Sequence, residues 1–493
     1  MRRARTNPAA PGHAARSTSL SLSLPLPLSL PALVALLVAP GLLSSCGASD
    51  RDRPDVLLIV VDTLRADRLG VYGNERELTP YLDAWAATAR RFDAAFAHAP
   101  WTLPSTASLF TSLVPQQHGA GGSLALDPAR GDGGFRSLDP RIPTIAERFR
   151  DAGYATASIV NVDFLTETFG MTRGFEHIDA KTYASNREAR SATETTDAAL
   201  AWLEVNEDRP CFLFVHYFDA HAVYSPPPSF RRRFADPRDR EDDDFVFGTR
   251  AQMIRLRTGE LALSPDVIER ASRLYDGEVA YVDSEIGRLF AVMAERDRAD
   301  STIVVVTSDH GEEFLDHGGF EHGHTLYQEL LHVPLLIAWP GRIEPGVTSS
   351  IVGLADVAPT LCELAGLSAP ATFAGTSLAP YLLGAEYPPQ HGHMAHGNFW
   401  GRAKRSWTEG EFKLILDLSR DAPGARAELY RWRADPEERE ELGRALPEVR
   451  RRLIGHLVDQ ERRLPGLGTG PRAVLGPEEL ERLRSLGYVG EDR

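Results

Sequence analysis

From residue 55 onward, short apolar runs alternate with stretches of helical spacing. The run Asp55–Val61 (DVLLIVV) is apolar at successive positions, which predicts a strand buried on both faces. Similar runs predict strands over 155–160, 211–217, 302–307 and 335–339. Between them, i, i+3, i+4 spacing predicts helices over 82–92, 144–152, 198–205, 267–292 and 356–365. Strands and helices in alternation imply an α/β fold, a mostly parallel central sheet sandwiched by helices. In such sheets ligands collect outside the carboxyl ends of the strands. Two stretches break the pattern. Segment 226–247 (PPPSFRRRFADPRDREDDDFVF) is proline-rich and charged, and reads as a surface loop. Beyond 384 the periodicity loosens, and 411–418 and 426–432 predict strands of a small C-terminal antiparallel α+β subdomain. The mixed-charge stretch 436–463 predicts a solvated helix.

At 493 residues, 43% hydrophobic and 25% charged, the chain has material for one large domain and a smaller one. Its net charge of −15 argues against a nucleic-acid partner, which a basic face would have to bind. An anionic substrate would need a metal, or local Arg and His, to overcome that field. Arg2, Arg3 and Arg5 precede an apolar stretch at 20–43 that ends in small residues before Cys46. This is the layout of a secretory signal peptide, and its end resembles the bacterial lipobox in which the cysteine is lipidated. Pro25, Pro27, Pro31 and Pro40 weaken a spanning helix in its place. The expected organisation is a lipoprotein signal peptide at 1–45, an anchor linker at 46–53, a catalytic α/β domain at 54–383 and a C-terminal subdomain at 384–493. The expected location is a membrane-anchored lipoprotein, periplasmic or on the cell surface. Cys211 and Cys362 lie in apolar runs and read as buried thiols, with a disulfide between them left open.

The strand ends carry the candidate chemistry. The first predicted strand ends in Asp62-Thr63, the third leads into His216, Asp219 and His221, and the fourth into Asp309-His310-Gly311. Singly, each has a bland explanation as a helix cap or core histidine. Three strand ends delivering carboxylates and imidazoles to one rim point to a metal centre. The stretch DHGEEFLDHGGFEHGH adds His317, His322 and His324. Mixed oxygen and imidazole ligands suit Zn²⁺ or Mn²⁺, and an all-oxygen set Ca²⁺ or Mg²⁺. In APWTLPSTASLFTS, Pro104 and Ser105 open a helix, which places Thr102 just before free N–H groups and a positive dipole end. A hydroxyl there becomes nucleophilic when a cation lowers its pKa, although threonine is also a common helix cap.

Taken in order, LLIVVDTLRADRLGVYG, TLPSTASLFTS, TIAERFRDAGYATA, VVTSDHGEEFLDHG, HGHTLYQELLHVPLLI, VGLADVAPTLCELAGL and ELYRWRADPEEREEL resemble the landmarks of the sulfatase family. The resemblance runs from about residue 54 to the C-terminus and implies an alkaline phosphatase-like fold. It implies Asp62, Asp309 and His310 as metal ligands and Thr102 at the nucleophile position. The departures are specific. Sulfatases oxidise a Cys or Ser to formylglycine, and threonine cannot yield that aldehyde. The signature arginine is Thr106, the second acid of the Asp-Asp pair is Thr63, and the sulfate-gripping Lys-x-His is Asn161-Val162-Asp163. The later lysine is missing near Gly323-His324. Such a site resembles the superfamily's phosphodiesterases, phosphoglycerol transferases and alkaline phosphatases, which form a phospho-threonine or phospho-serine. The expectation is a metal-dependent hydrolase of an anionic ester, phosphate or phosphonate favoured and sulfate possible, with Thr102 as nucleophile. One or two ions (Ca²⁺, Mn²⁺ or Zn²⁺) are expected, Thr102 and Asp219 joining the ligands. His221 and His324 assist the second step, and Asn161 and His216 contact substrate. Expected partners are the anionic ester and, through lipidated Cys46, a membrane. Alternatives are a sulfatase working without formylglycine, a phosphoglycerol- or phosphoethanolamine-type transferase, and an inactive anion- or glycan-binding lipoprotein.

Overall fold

The computed structural model describes residues 53–488 apart from 123–133, 183–189, 235–246, 258–259, 263, 387–390, 398, 400–402, 419–425 and 487. The signal-peptide and Cys46 expectations fall outside these residues. No helix among the described residues is long and apolar enough to cross a membrane.

Ten of the strands are β1 (Asp55–Val61), β2 (Arg90–Phe96), β3 (Ala155–Val160), β4 (His177–Ala180), β5 (Cys211–Tyr217), β6 (Thr302–Ser308), β7 (Glu313–Phe314), β8 (Phe320–Glu321), β9 (Leu335–Ala338) and β10 (Gly346–Gly353). Eight of them form one sheet in the order β10-β2-β9-β6-β1-β5-β3-β4. Every neighbouring pair is parallel except those of β9, which runs against both β2 and β6. The expected mostly parallel sheet is therefore what forms.

Side chains alternate between the two faces of β1. Val56, Leu58 and Val60 enter the core layer beneath the helices Thr102–Thr111, Ile145–Asp151 and Val357–Leu364. Leu57, Ile59 and Val61 enter the layer beneath Ala192–Val205 and Pro265–Glu295. Each such side chain, fully buried, contributes about 1.5–3 kcal/mol. The helices start where the chain supplies caps. Thr144 and Glu147 form a capping box ahead of Ile145–Asp151, and Ser191 and Glu194 do the same ahead of Ala192–Val205.

Two expectations are corrected here. The predicted helix over 82–92 divides into a helix, Pro80–Ala86, and strand β2. Its spacing spans a junction, and β2 is held by pairing with β9 and β10, which local periodicity does not report. The segment 226–247 is not all loop. Pro228–Phe234 is helical and packs on Pro265–Glu295, with the Phe230 and Tyr281 rings 5.3 Å apart. Cys211 and Cys362 are both free and buried, and burial raises both thiol pKa values.

The C-terminal sheet is antiparallel, with β11 (His393–Gly397), β12 (Lys404–Glu409), β13 (Phe412–Asp417) and β14 (Arg426–Tyr430) in that order. The helix Pro447–Arg463 is shorter than expected, and it buries Leu453 and Leu457 against this sheet rather than being wholly solvated. A buried ion pair ties the sheet to the site half of the molecule. Lys413 Nζ lies 3.0 Å from Glu438 Oε2, which also accepts the Gln328 N–H at 2.8 Å. Removing one member leaves the other charge buried and alone, so Lys413→Met is expected to destabilise by about 3–5 kcal/mol in denaturant melts. An unchanged midpoint would mean that this pair does not hold the sheet.

Candidate active site

Register places the chemistry. Val61 at the end of β1 stands opposite both Tyr217 of β5 and Ser308 of β6, so the residues following these three strands leave the sheet side by side. Ligand atoms of Asp62, Asp309 and His310 lie within 4.8 Å of one another, and all three residues are fully buried. Asp309 Oδ1 accepts the backbone N–H of His310 at 2.9 Å and of Thr63 at 3.3 Å. Both oxygens of Asp62 and Oδ2 of Asp309 accept no hydrogen bond from any described residue. An unpartnered buried carboxylate costs several kcal/mol, so two facing each other need a compensating charge.

His310 supplies the third donor in a fixed tautomer. Its Nδ1–H donates to the Gly311 carbonyl at 2.9 Å, which turns Nε2 to the acids, 3.5 Å from Asp309 Oδ2 and 3.6 Å from Asp62 Oδ1. Burial, with the neighbouring Asp62 charge, pushes Asp309 up to about 6. Burial acts the same way on Asp62, but the imidazoles of His216, His221 and His310 outweigh it and hold that carboxyl below its usual range. Two carboxylates and an imidazole nitrogen, buried and facing one another, fit a divalent cation.

Thr102 is the first residue of the helix Thr102–Thr111, one position further in than its sequence neighbours suggested. Trp101 occupies the cap position and no side chain caps the helix, so capping is not the role of Thr102. Its hydroxyl is buried 3.4 Å from His310 Nε2, which brings it to the acidic group. The first-turn N–H groups of Thr102 and Leu103 have no intrahelical partner, as at any helix N-terminus. Ser105, one turn in, donates its hydroxyl to the Asp309 carbonyl at 2.5 Å and ties the helix to the end of β6.

A model of the sulfatase family matches residues 54–367, more than half of the chain. The chain belongs to the sulfatase family. A second model, the C-terminal region of N-sulphoglucosamine sulphohydrolase, matches residues 315–461. An arylsulfatase of Clostridium perfringens is 26% identical over 390 residues, covering 66% of this chain and 78% of that protein. A Delta 4,5-hexuronate-2-O-sulfatase of Bacteroides thetaiotaomicron is 25% identical, covering 82% and 87%. A phosphonate monoester hydrolase of Agrobacterium radiobacter shares the fold, with a TM-score of 0.68 at 22% identity, covering 84% of this chain and 96% of its own. These relatives are ester hydrolases, and the sulfatase family of the alkaline phosphatase superfamily is the class to which this chain's fold belongs.

The remaining candidates of this sulfatase-family chain separate into those at the group and those away from it. His216 Nε2 lies 3.3 Å from Asp62 Oδ2. His221 is buried, stacked on Phe218 at 4.5 Å, with its Nε2 2.6 Å from the Tyr488 hydroxyl. The Asn161 side-chain amide donates to the His216 carbonyl at 2.5 Å and to Thr195 Oγ1 at 3.1 Å, so it braces backbone beside the site. Asp219, expected among the ligands, stands outside the Asp62–Asp309–His310 group, as does His324. Asp219 Oδ1 accepts the Ala192 N–H at 2.8 Å, at the start of the helix Ala192–Val205. His324 pairs with Glu313 at 2.7 Å. The β7–β8 hairpin folds this segment back and brings His322 instead to His310, with ring centroids 4.5 Å apart. With Asp219 and His324 elsewhere, the described residues gather ligands for one ion.

The departures from the family pattern also acquire positions. Thr63 adopts φ 57°, a left-handed conformation that β-branched residues avoid, and turns its hydroxyl away to the Ala220 carbonyl at 2.7 Å. Asp163 receives Arg482 Nε at 2.8 Å. Sequence reasoning missed Glu312, Tyr224 and Tyr488. Glu312 accepts the Tyr224 hydroxyl at 2.7 Å and lies 2.9 Å from His322 Nδ1. Glu312 stood inside the quoted motif as a signal, whereas Tyr488 carried none.

Proposed function

We propose that this sulfatase-family chain hydrolyses an anionic ester through Thr102, with phosphate or phosphonate esters as the preferred class. One observation carries the reading: a buried threonine hydroxyl at a helix N-terminus, 3.4 Å from His310 in the Asp62–Asp309–His310 group. A divalent cation (Ca²⁺, Mn²⁺ or Zn²⁺) held by Asp62, Asp309 and His310 would supply positive charge that lowers the pKa of the hydroxyl and offsets charge on the ester.

The residues of the chain do the rest. Thr102 Oγ1 attacks phosphorus, the bond to the alcohol breaks, and the threonine proton ends on the departing alcohol. Water then cleaves the phosphothreonine and restores Thr102. The N–H groups of Thr102 and Leu103, left without intrahelical partners in the first turn, are the donors available for the anionic oxygens. Three imidazoles outside the ligand set lie beside it: His216, with Nε2 3.3 Å from Asp62 Oδ2, His322, packed on His310, and His221 next to His322.

A second reading, sulfate-ester hydrolysis without formylglycine, is favoured by the sulfatase names of the relatives. Parallel assays with aryl phosphodiester, aryl phosphonate and aryl sulfate, each with Ca²⁺, Mn²⁺ and Zn²⁺ in turn, separate the two. Faster turnover of the sulfate than of both phosphorus esters would overturn the preference. Export and lipidation at Cys46 belong to the same proposal. The full chain is expected in the membrane fraction and a Cys46→Ala variant in the soluble one. A variant that stays with membranes would exclude anchoring through that cysteine.

A further inference from the structure

Beyond residue 461, where the second family match stops, lie a short helix, Pro477–Ser485, and Tyr488. Tyr488 is buried in an aromatic box, its ring 4.8 Å from Phe164 and 5.7 Å from Phe399. Trp101, the residue before Thr102, lines the same box at 5.4 Å from Phe164 and 4.4 Å from Phe399.

The hydroxyl, not the ring, is what faces the site. Tyr488 Oη stands 2.6 Å from His221 Nε2 and 3.3 Å from His322 Nε2. His221 Nδ1 lies 2.5 Å from the Ala222 carbonyl, which can only accept, so the ring proton sits on Nδ1 and the tyrosine O–H donates to Nε2. The rings of His221 and His322 are 5.0 Å apart, and His322 packs against His310. One phenol therefore links two imidazoles beside the group that contains Thr102.

How the tail docks is also specific. Arg482 Nε lies 2.8 and 3.0 Å from the two oxygens of Asp163, whose side chain is buried. Asp163 stands in the Asn161-Val162-Asp163 segment, where the family resemblance would have put a cationic Lys-x-His. An acid in that place receives an arginine from the tail. Leu483 is buried beside it and completes the docking.

We propose that Tyr488 is a positioning residue of the active site: its hydroxyl holds the His221 and His322 imidazoles toward the anionic ester, and the Arg482–Asp163 pair docks the tail that carries it. This rests on the ester-hydrolase reading. A purely structural tyrosine would need only its ring, because phenylalanine fills the same box. Burying a hydroxyl that had no task would cost stability.

The test compares Tyr488→Phe, Tyr488→Ala, Arg482→Ala and the Arg482→Ala/Tyr488→Phe double variant in the full-length, Mn²⁺-loaded protein. Readouts are kcat and KM on an aryl phosphodiester, inorganic vanadate affinity by calorimetry, and Tm. Tyr488→Phe is expected to lower kcat about 10–100-fold, the loss expected when groups beside the reacting atoms are held less well in place. Vanadate binding should weaken with it, and by more than the modest Tm loss from the unpaired His221 nitrogen accounts for. Arg482→Ala should fall in the same direction, and the double variant no further than the lower single one. Tyr488→Ala should lose Tm as well, through the emptied box. Wild-type kcat and vanadate affinity in Tyr488→Phe would overturn the proposal, as would losses that only track Tm. Should the wild type hydrolyse none of the esters, the ester-hydrolase reading fails. The vanadate affinities of wild type and Tyr488→Phe would still report the tyrosine separately.

Discussion

Thr102→Ala is expected to lower kcat on the best ester by roughly 10³-fold or more, with Thr102→Ser keeping a measurable share of it. The alanine variant loses the only atom with which residue 102 can attack, while the surrounding donors remain. Thr102 is fully buried at the first position of its helix, and deleting its hydroxyl removes no cap hydrogen bond, so the fold should survive. Serine restores a hydroxyl without the methyl group that fixes χ1, so attack should continue with poorer orientation. The matching chemical observation is a modified peptide. Acid quenching during turnover of a slow phosphodiester should leave a phosphoryl group on the peptide containing Thr102. Full activity in Thr102→Ala on every ester would remove the mechanism.

The second large effect concerns the acids. Asp309→Asn is expected to abolish saturable Mn²⁺ binding in calorimetry and, with it, hydrolysis. The physical reason lies in the balance of charges. Asp309 is pushed up to about 6 by burial and by Asp62, so without a cation the pair is mutually unfavourable. A cation that binds only the folded chain stabilises it by about 2.7 kcal/mol at a hundredfold excess over Kd. Wild-type Tm should therefore climb with added Mn²⁺, whereas the Asn variant, with one carboxylate neutralised, should show a flat response. Equal Mn²⁺-induced shifts in both proteins would place the metal elsewhere.

How much of this was legible in the sequence depends on what each feature needs. Strands β1, β5 and β6 are buried on both faces, so they read as continuous apolar runs, and the run ends mark the rim where Asp62, Asp309 and His310 emerge. Register does the remaining alignment, because parallel neighbours end level. Strand β10 is partly exposed over its first five positions, and β2 follows a helix after a short turn, so neither offers a long apolar run. Asp219 and His324 show the limit of proximity in sequence. Both stand within a few residues of site residues, yet one faces the N-terminus of a helix and the other a glutamate across a hairpin. A strand end fixes where the backbone leaves the sheet, and turn geometry then decides where each side chain points. Tyr488 lies 267 residues from His221, its partner in space, and only the tertiary fold brings them together.

Thr63 and Asp163 stand where metal- or sulfate-binding residues are expected by resemblance, and each has taken a new partner, the Ala220 carbonyl and Arg482.

A crystal structure of the Mn²⁺-loaded protein with vanadate tests the whole reading at its centre. The expected result is one ion bound by Asp62, Asp309 and His310, with Thr102 Oγ1 joined to vanadium on the side facing that ion. Vanadate seated away from Thr102, or an ion that leaves Asp309 unligated, would contradict it.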